Sequence, residues 1–216
     1  MNADLAFLLS AVYSGSLAPE HLADLRKSGL TDKIISLQRI RSVPPHMISR
    51  LLGFDVPAVR SAMLLPFPNP QGGWTNHVRV KVFPALTNRK RHTIKYLQPR
   101  GSAPRLYFVV SCLDAVLEGP TRLRIVEGEK KALAVAQLGL PAVGVCGVEG
   151  WHLGGSCELL PDFNSIALSA RVVELVPDGD YQTNSAVHRA VDRFAEALRT
   201  RNAQPYVVML PTRWIR

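Results

Sequence analysis

At Pro120 the hydrophobic pattern of this 216-residue chain changes period, and that change limits the fold more than any other feature. Beyond it, short apolar runs alternate with segments of helical spacing, the order expected of βαβ units and a parallel sheet. Leu123-Arg124-Ile125-Val126 reads as a strand, Glu129–Leu138 as a helix stopped by Gly139, and Ala142-Val143-Gly144-Val145 as a second strand. Arg171–Val176 supplies a third strand. Val187, Ala190, Val191, Phe194 and Leu198 then share one face of a helix, and Tyr206–Leu210 closes the pattern as a last strand. Glu174 inside the third strand predicts an edge position for it or a truncated, partly degenerate sheet, because parallel strands are normally buried on both faces.

Upstream of Pro120 the chain reads differently. Pro19 opens a short helix that Gly29 stops, Thr31 caps the next, and Pro44-Pro45 opens another that runs through Leu51-Leu52 to Gly53. From Ala62 the pattern is strand-like. Met63–Phe67, a turn at Pro70–Gly73, and His77–Val82 follow in order, and the last alternates apolar and basic residues so that Arg79 and Lys81 would face outward. Lys95-Tyr96-Leu97 and Leu106-Tyr107-Phe108 read as two further short strands. The spacing thus predicts a helical unit over 1–60, a basic β-rich segment over 61–118 and an α/β domain over 119–216.

The charge is uneven along this order. Residues 1–120 carry a net +8 and residues 121–216 only +1, and no acid occurs between Asp55 and Asp114, a stretch holding nine basic residues. Ordinary surfaces mix both signs, so a long acid-free basic segment points to a phosphate backbone as partner. These residues do not fall on an amphipathic helix, and no apolar run approaches the ~18 residues that span a bilayer, so we expect a cytoplasmic protein with no membrane partner. The three cysteines form no CxxC pair and are expected to be reduced core residues.

Two acidic motifs fall at the ends of predicted strands: Val126-Glu127-Gly128-Glu129-Lys130-Lys131 and Val176-Pro177-Asp178-Gly179-Asp180. Ligands of an open parallel sheet bind beyond the carboxyl ends of its strands, which is where Glu127, Asp178 and Asp180 would meet. Three clustered carboxylates suit a hard divalent cation, Mg²⁺ or Mn²⁺, that keeps water or phosphate oxygens as its remaining ligands. Asp-Gly-Asp taken alone is a common turn. Lys130 and Lys131 read equally as solvated residues of a helix's first turn or as phosphate ligands.

In that order the motifs resemble the Toprim domain shared by bacterial-type primases, topoisomerases and related nucleases. Leu64-Leu65-Pro66-Phe67, Gly72-Gly73, Arg79, Lys95-Tyr96-Leu97-Gln98 and Leu106-Tyr107-Phe108 resemble the basic segment that precedes Toprim in primases. Leu25–Leu30 and Leu51–Phe54 further resemble an uncharacterised primase-like family of plasmids, phages and integrated elements. The resemblance implies a Rossmann-like parallel sheet with flanking helices, here shortened at its C-terminal end. It implies Glu127 as general acid or base, or as a metal ligand, and Asp178 and Asp180 as holders of Mg²⁺. It places Lys95 near nucleotide or template phosphates, with Arg79 and Lys81 extending the track. The implied activity is primase-like nucleotidyl transfer in the replication of a mobile element, on single-stranded DNA and nucleotides, with a helicase as partner. A nuclease or a non-catalytic DNA-binding module would use the same residues.

Overall fold

The computed structural model describes residues 3–88, 91–154 and 156–209. The chain divides into two units, Met1–Ser102 and Ala103–Arg216.

Proline and capping residues start the helices of the first unit where the sequence predicts them. Pro19 begins α2 (Pro19–Lys27), the Thr31 hydroxyl caps α3 (Asp32–Leu37) by accepting the Ile34 N–H, and a 3-10 turn over Pro45–Met47 leads into α4 (Ile48–Leu52). Ahead of them lies α1 (Ala3–Tyr13), whose apolar residues form no clean stripe and so gave no periodic signal. Four antiparallel strands, the first of them ahead of α4 in the chain, pair in the spatial order β1 (Arg41–Val43), β2 (Ser61–Pro68), β3 (Trp74–Thr87) and β4 (Thr93–Leu97). Sequence reading separates the helical segment from the β-rich one. The structure joins them, because Leu8 and Val12 of α1 and Leu51 and Leu52 of α4 share one core with Leu64 and Val80 of the sheet.

The boundary of the second unit also moves. Tyr107–Phe108, expected in the basic segment, forms β5 and pairs antiparallel with β7 (Ala142–Val145), so the unit begins at Ala103 rather than 119. Its five-stranded sheet has the order β5-β7-β6-β8-β9, with β6 Leu123–Glu127, β8 Val172–Val176 and β9 Gln204–Val207. Every pairing except that of β5 is parallel. Helix α6 (Glu129–Ala136) connects β6 to β7, α7 (Ser185–Arg199) connects β8 to β9, and α5 (Leu113–Leu117) precedes β6.

The apolar face of α7 packs Val187, Val191, Phe194 and Leu198 against Ile125, Val143 and Leu175 of the sheet, with the Phe194 ring stacked on buried Trp151 at 5.0 Å. Burying each such side chain contributes roughly 1.5–3 kcal/mol before chain entropy is counted. Gly144, on the alternate positions of β7, lets α6 approach the sheet closely. A Cβ there would lie 3.2–3.3 Å from Tyr107 Cβ, Ala132 Cβ and the Gly128 carbonyl oxygen.

Glu174 does not mark an edge. Strand β8 lies between β6 and β9, and the Glu174 carboxylate is held by Arg124 at 3.0 Å and Arg122 at 3.1 Å, which offsets the cost of placing an acid in an interior strand. A second internal cation, Arg171, is only 4% exposed and donates to the carbonyl oxygens of Thr121, Val116 and Ala115, tying the start of β8 to α5 and the loop after it. All three cysteines are free. Cys112 and Cys146 are part-buried, whereas Cys157 is exposed and not the core residue its type leads one to expect.

Candidate metal and nucleic-acid site

Parallel pairing of β6 with β8 brings the two acidic motifs to one edge of the sheet. Val126 is in register with Val176, so Glu127 ends β6 beside the point where Pro177-Asp178 leaves β8. Gly128 follows Glu127 with φ +99°, a conformation L side chains rarely adopt, and the chain turns there directly into α6. Asp178 opens a 3-10 turn over Gly179–Gln182, which carries Asp180. Asn184 steadies this turn from its far side: its amide lies 3.4 Å from Asp180 Oδ2, while its side-chain oxygen caps α7 by accepting the Ala186 and Val187 N–H groups.

The electrostatics of this edge are those of a shared cluster. Glu127 lines a small apolar dent with Ile125, Val145, Val148, Leu175 and Phe194. That burial pushes its carboxyl above the usual carboxylate range; Lys131 pulls it down, Asp180 pushes it up further, and the Val148 N–H, which it accepts, pulls it down. Burial lowers the Lys131 ammonium, against the raising pull of Glu127 and Asp180. Lys131 is half-exposed and lies in an ion pair with the Asp178 carboxylate. Its ammonium therefore interacts with all three acids at once. Lys130, part-buried, sits one residue earlier on α6, and Glu129 is 2% exposed with an oxygen 3.5 Å from Cys146 Sγ.

Among the described residues, no three acidic, histidine or cysteine side chains close around one point as a ready metal cage. The expected sharing of one cation by Glu127, Asp178 and Asp180 is thus not a preformed feature. The donor chemistry fits Mg²⁺ nonetheless, since that ion takes one or two carboxylates and fills its remaining positions with water or phosphate oxygens. A cation entering at Asp178 must displace the Lys131 ammonium, so of the two roles the sequence leaves open for this lysine, solvated residue or phosphate ligand, neither describes its pairing with Asp178. The signal for it was present: Lys131 lies four residues beyond Glu127, on the first turn of a helix starting at the same edge.

The basic residues of the first unit divide unevenly. Lys95 on β4 is exposed. Arg79 on β3 is part-buried, with its guanidinium 5.1 Å from the Tyr96 ring centre. Lys81 does not face outward. It is 9% exposed and donates to both oxygens of Asp24 on α2 at 2.5 and 2.6 Å, because that helix covers the sheet face on which a lone strand would leave the lysine in water. Nearby, buried His21 of α2 lies 2.7 Å from the Ser42 hydroxyl and 3.2 Å from that of Ser61. Arg105, the last basic residue of the acid-free stretch and already in the second unit, is likewise engaged, in an ion pair with buried Asp162 at 2.7 Å. Arg60, Arg91 and Arg100 are exposed, and Arg89 and Lys90 lie outside the described residues.

Similarity to known proteins follows the same lines. A family model described as a domain of unknown function, DUF3854, matches residues 114–214. The Gene 57 protein of Mycobacterium phage D29 is 34% identical over 86 residues, a match that covers 40% of this chain and about half, 49%, of the phage protein. Among solved structures, the DnaG catalytic core superposes with a TM-score of 0.62 at 21% identity, over 96% of this chain and 71% of that one. The Aquifex aeolicus primase, comprising zinc-binding and RNA polymerase domains, superposes with a TM-score of 0.65 at 15% identity, over 96% and 55%. Among the described residues, no helix is long and apolar enough to cross a membrane. The chain is a mixed α/β protein that shares the fold of primase catalytic cores.

Proposed function

We propose that this chain is a Mg²⁺-dependent protein acting on nucleic acid, carrying out primase-like nucleotidyl transfer in the replication of a mobile element. The observation that carries the reading is the meeting of Glu127, Asp178 and Asp180 at the carboxyl edge of two adjacent parallel strands. Similarity to primase cores and to a phage protein supports it.

In this reading Asp178 and Asp180 hold the metal, and Glu127 either completes its shell or takes a proton from an attacking hydroxyl. The apolar dent beside Glu127 makes its carboxyl a better base than an exposed acid of the same type. Mg²⁺, when bound, neutralises charge on the transferring phosphoryl group, and Mn²⁺ serves as its substitute. Lys95 and Arg79 contact phosphates of single-stranded DNA or of the incoming nucleotide, with Lys130 as an additional contact. A helicase is the expected partner, and the site of action is the cytoplasm.

The test is primer synthesis on single-stranded DNA with nucleotides and Mg²⁺ or Mn²⁺, comparing wild type with Asp178→Asn. Product from wild type alone is the expected result, and equal product from both would remove the carboxylates from the chemistry. Nicking of plasmid DNA in place of synthesis would assign the same residues to a nuclease. A second reading, a non-catalytic DNA-binding module, is favoured by one observation: Lys131 already neutralises Asp178. It predicts salt-sensitive binding of single strands without metal-dependent product.

A further inference from the structure

We propose that the first unit carries a separate nucleotide-binding site in which Arg39, Tyr13 and Trp74 receive one base and its phosphate from a single strand; the proposal rests on the nucleic-acid reading above. The three residues come from three elements: the end of α1, the turn after α3 and the start of β3. They line a hollow of about 460 Å³, within the size range of small-ligand sites, together with Ser10, Thr75 and Asn76. The Arg39 guanidinium lies 5.0 Å from the Tyr13 ring centre and 5.7 Å from that of Trp74.

The chemistry of the lining selects the ligand. No acidic side chain lines the hollow, and among the described residues Arg39 is in no ion pair, so its charge is left to an incoming anion. The Tyr13 hydroxyl is buried without a hydrogen-bond partner among the described residues, and burial pushes its pKa up to about 12, against a lowering pull from Arg39. Tyr13 therefore stays a neutral ring and does not neutralise the guanidinium. Aromatic faces and guanidinium planes are the surfaces on which unpaired bases stack, irrespective of sequence. Ser10, Thr75 and Asn76 add polar groups for the sugar or phosphate. A peptide carboxylate would use the charge but leave the rings idle.

Arg39 also occupies an unusual position for its residue type. It has φ +52° and ends α3, its N–H donating to the Ser36 carbonyl while the Ile40 N–H donates to that of Ile35. Glycine or asparagine ordinarily fills such a left-handed helix-terminating position. An arginine there is disfavoured by its backbone, and what the position gains in return is a guanidinium delivered to 5.0 and 5.7 Å from two ring centres.

Binding of a fluorescein-labelled thymidine 12-mer, followed by anisotropy in low salt, tests the assignment, with Lys33→Ala on exposed α3 as the control for loss of one positive charge. Arg39→Ala is expected to weaken binding about tenfold and Lys33→Ala by less than twofold, since alanine replacement of a base-stacking side chain typically costs about that much. Ultraviolet crosslinking of a 5-bromodeoxyuridine 12-mer is expected to label the peptide containing Tyr13 or Trp74. Equal effects of Arg39→Ala and Lys33→Ala, with no label at those rings, would overturn the site while leaving nucleic-acid binding intact. Competition by poly-glutamate as strong as that by unlabelled oligonucleotide of equal charge would overturn the nucleotide assignment in favour of a general anion site. If wild type fails to bind the oligonucleotide at all, the nucleic-acid reading and this site fall together.

Discussion

The acidic edge of the second unit and the basic face of the first are built by different means. Backbone topology assembles the acids: two parallel strands in register end side by side, and whatever follows their last residues meets there. The basic face has no such device. Whether a lysine on β3 reaches solvent depends on which helix folds over it, and α2 brings Asp24 onto Lys81 while Arg79 and Lys95 keep other surroundings. Charges placed by strand order are secure features of the fold. Charges placed by alternation along one strand are at the mercy of packing.

The largest expected effect separates Lys81 from the basic track. Asp24→Ala removes the carboxylate that holds a nearly buried ammonium and should destabilise the protein by about 3 kcal/mol, read as a lower urea midpoint at unchanged slope. The double change Asp24→Leu with Lys81→Met should recover most of that loss. If Asp24→Ala were silent and Lys81→Ala weakened DNA binding, Lys81 would rejoin the track and the contrast would fail.

A smaller effect probes the acidic edge. Lys131→Met removes the ammonium that competes with a cation at Asp178 and should tighten Mn²⁺ binding about fivefold, as expected for loss of a half-exposed ion pair. Weaker binding in the variant would make Lys131 a supporting residue of the metal site. On the basic side, Lys95→Ala should lower single-strand affinity evenly across sequences and reduce the slope of log affinity against log salt by about one. An unchanged slope would exclude Lys95 from phosphate contact.

The finest test concerns His21, which lies on the same helix as Asp24. Burial holds its folded-state pKa below 6.5, with Lys81 lowering it further and Glu20 and Asp24 raising it; the Ser42 and Ser61 hydroxyls face its ring. The unfolded chain therefore binds the proton more readily. The stabilisation is full above pH 6.5 and is lost as pH falls through the folded pKa. Thermal melts of wild type should decline over that acid window, and His21→Asn should decline less. A parallel decline would assign the acid sensitivity to other groups.

Much of this contrast was legible in the sequence, and the rest had a physical reason not to be. Strands β6, β7 and β8 and helix α7 announced themselves because buried parallel strands and an amphipathic helix each impose a period, and Gly128 and Asp178–Asp180 fell where those periods stop. Helix α1 was missed because its apolar residues surround it, and β1 because three residues are too few to alternate. The merger of the helical and β-rich segments could not be read because it depends on long-range packing of α1 and α4 on the sheet, and neither could the burial of Lys81, which depends on a different helix, α2, bringing Asp24 to it. Glu174 misled because its partners, Arg122 and Arg124, sit on and just before another strand.

The central claim is that the carboxylates at the ends of β6 and β8 bind a divalent cation as a unit. Titration of Mn²⁺ followed by electron paramagnetic resonance, on wild type, Asp178→Asn and Glu127→Gln, tests it without requiring turnover. One bound Mn²⁺ in wild type, displaced by Mg²⁺ and weakened at least about tenfold by Asp178→Asn, is the predicted result, with a smaller loss for Glu127→Gln. Equal Mn²⁺ binding by wild type and Asp178→Asn, with both proteins folded, would contradict it.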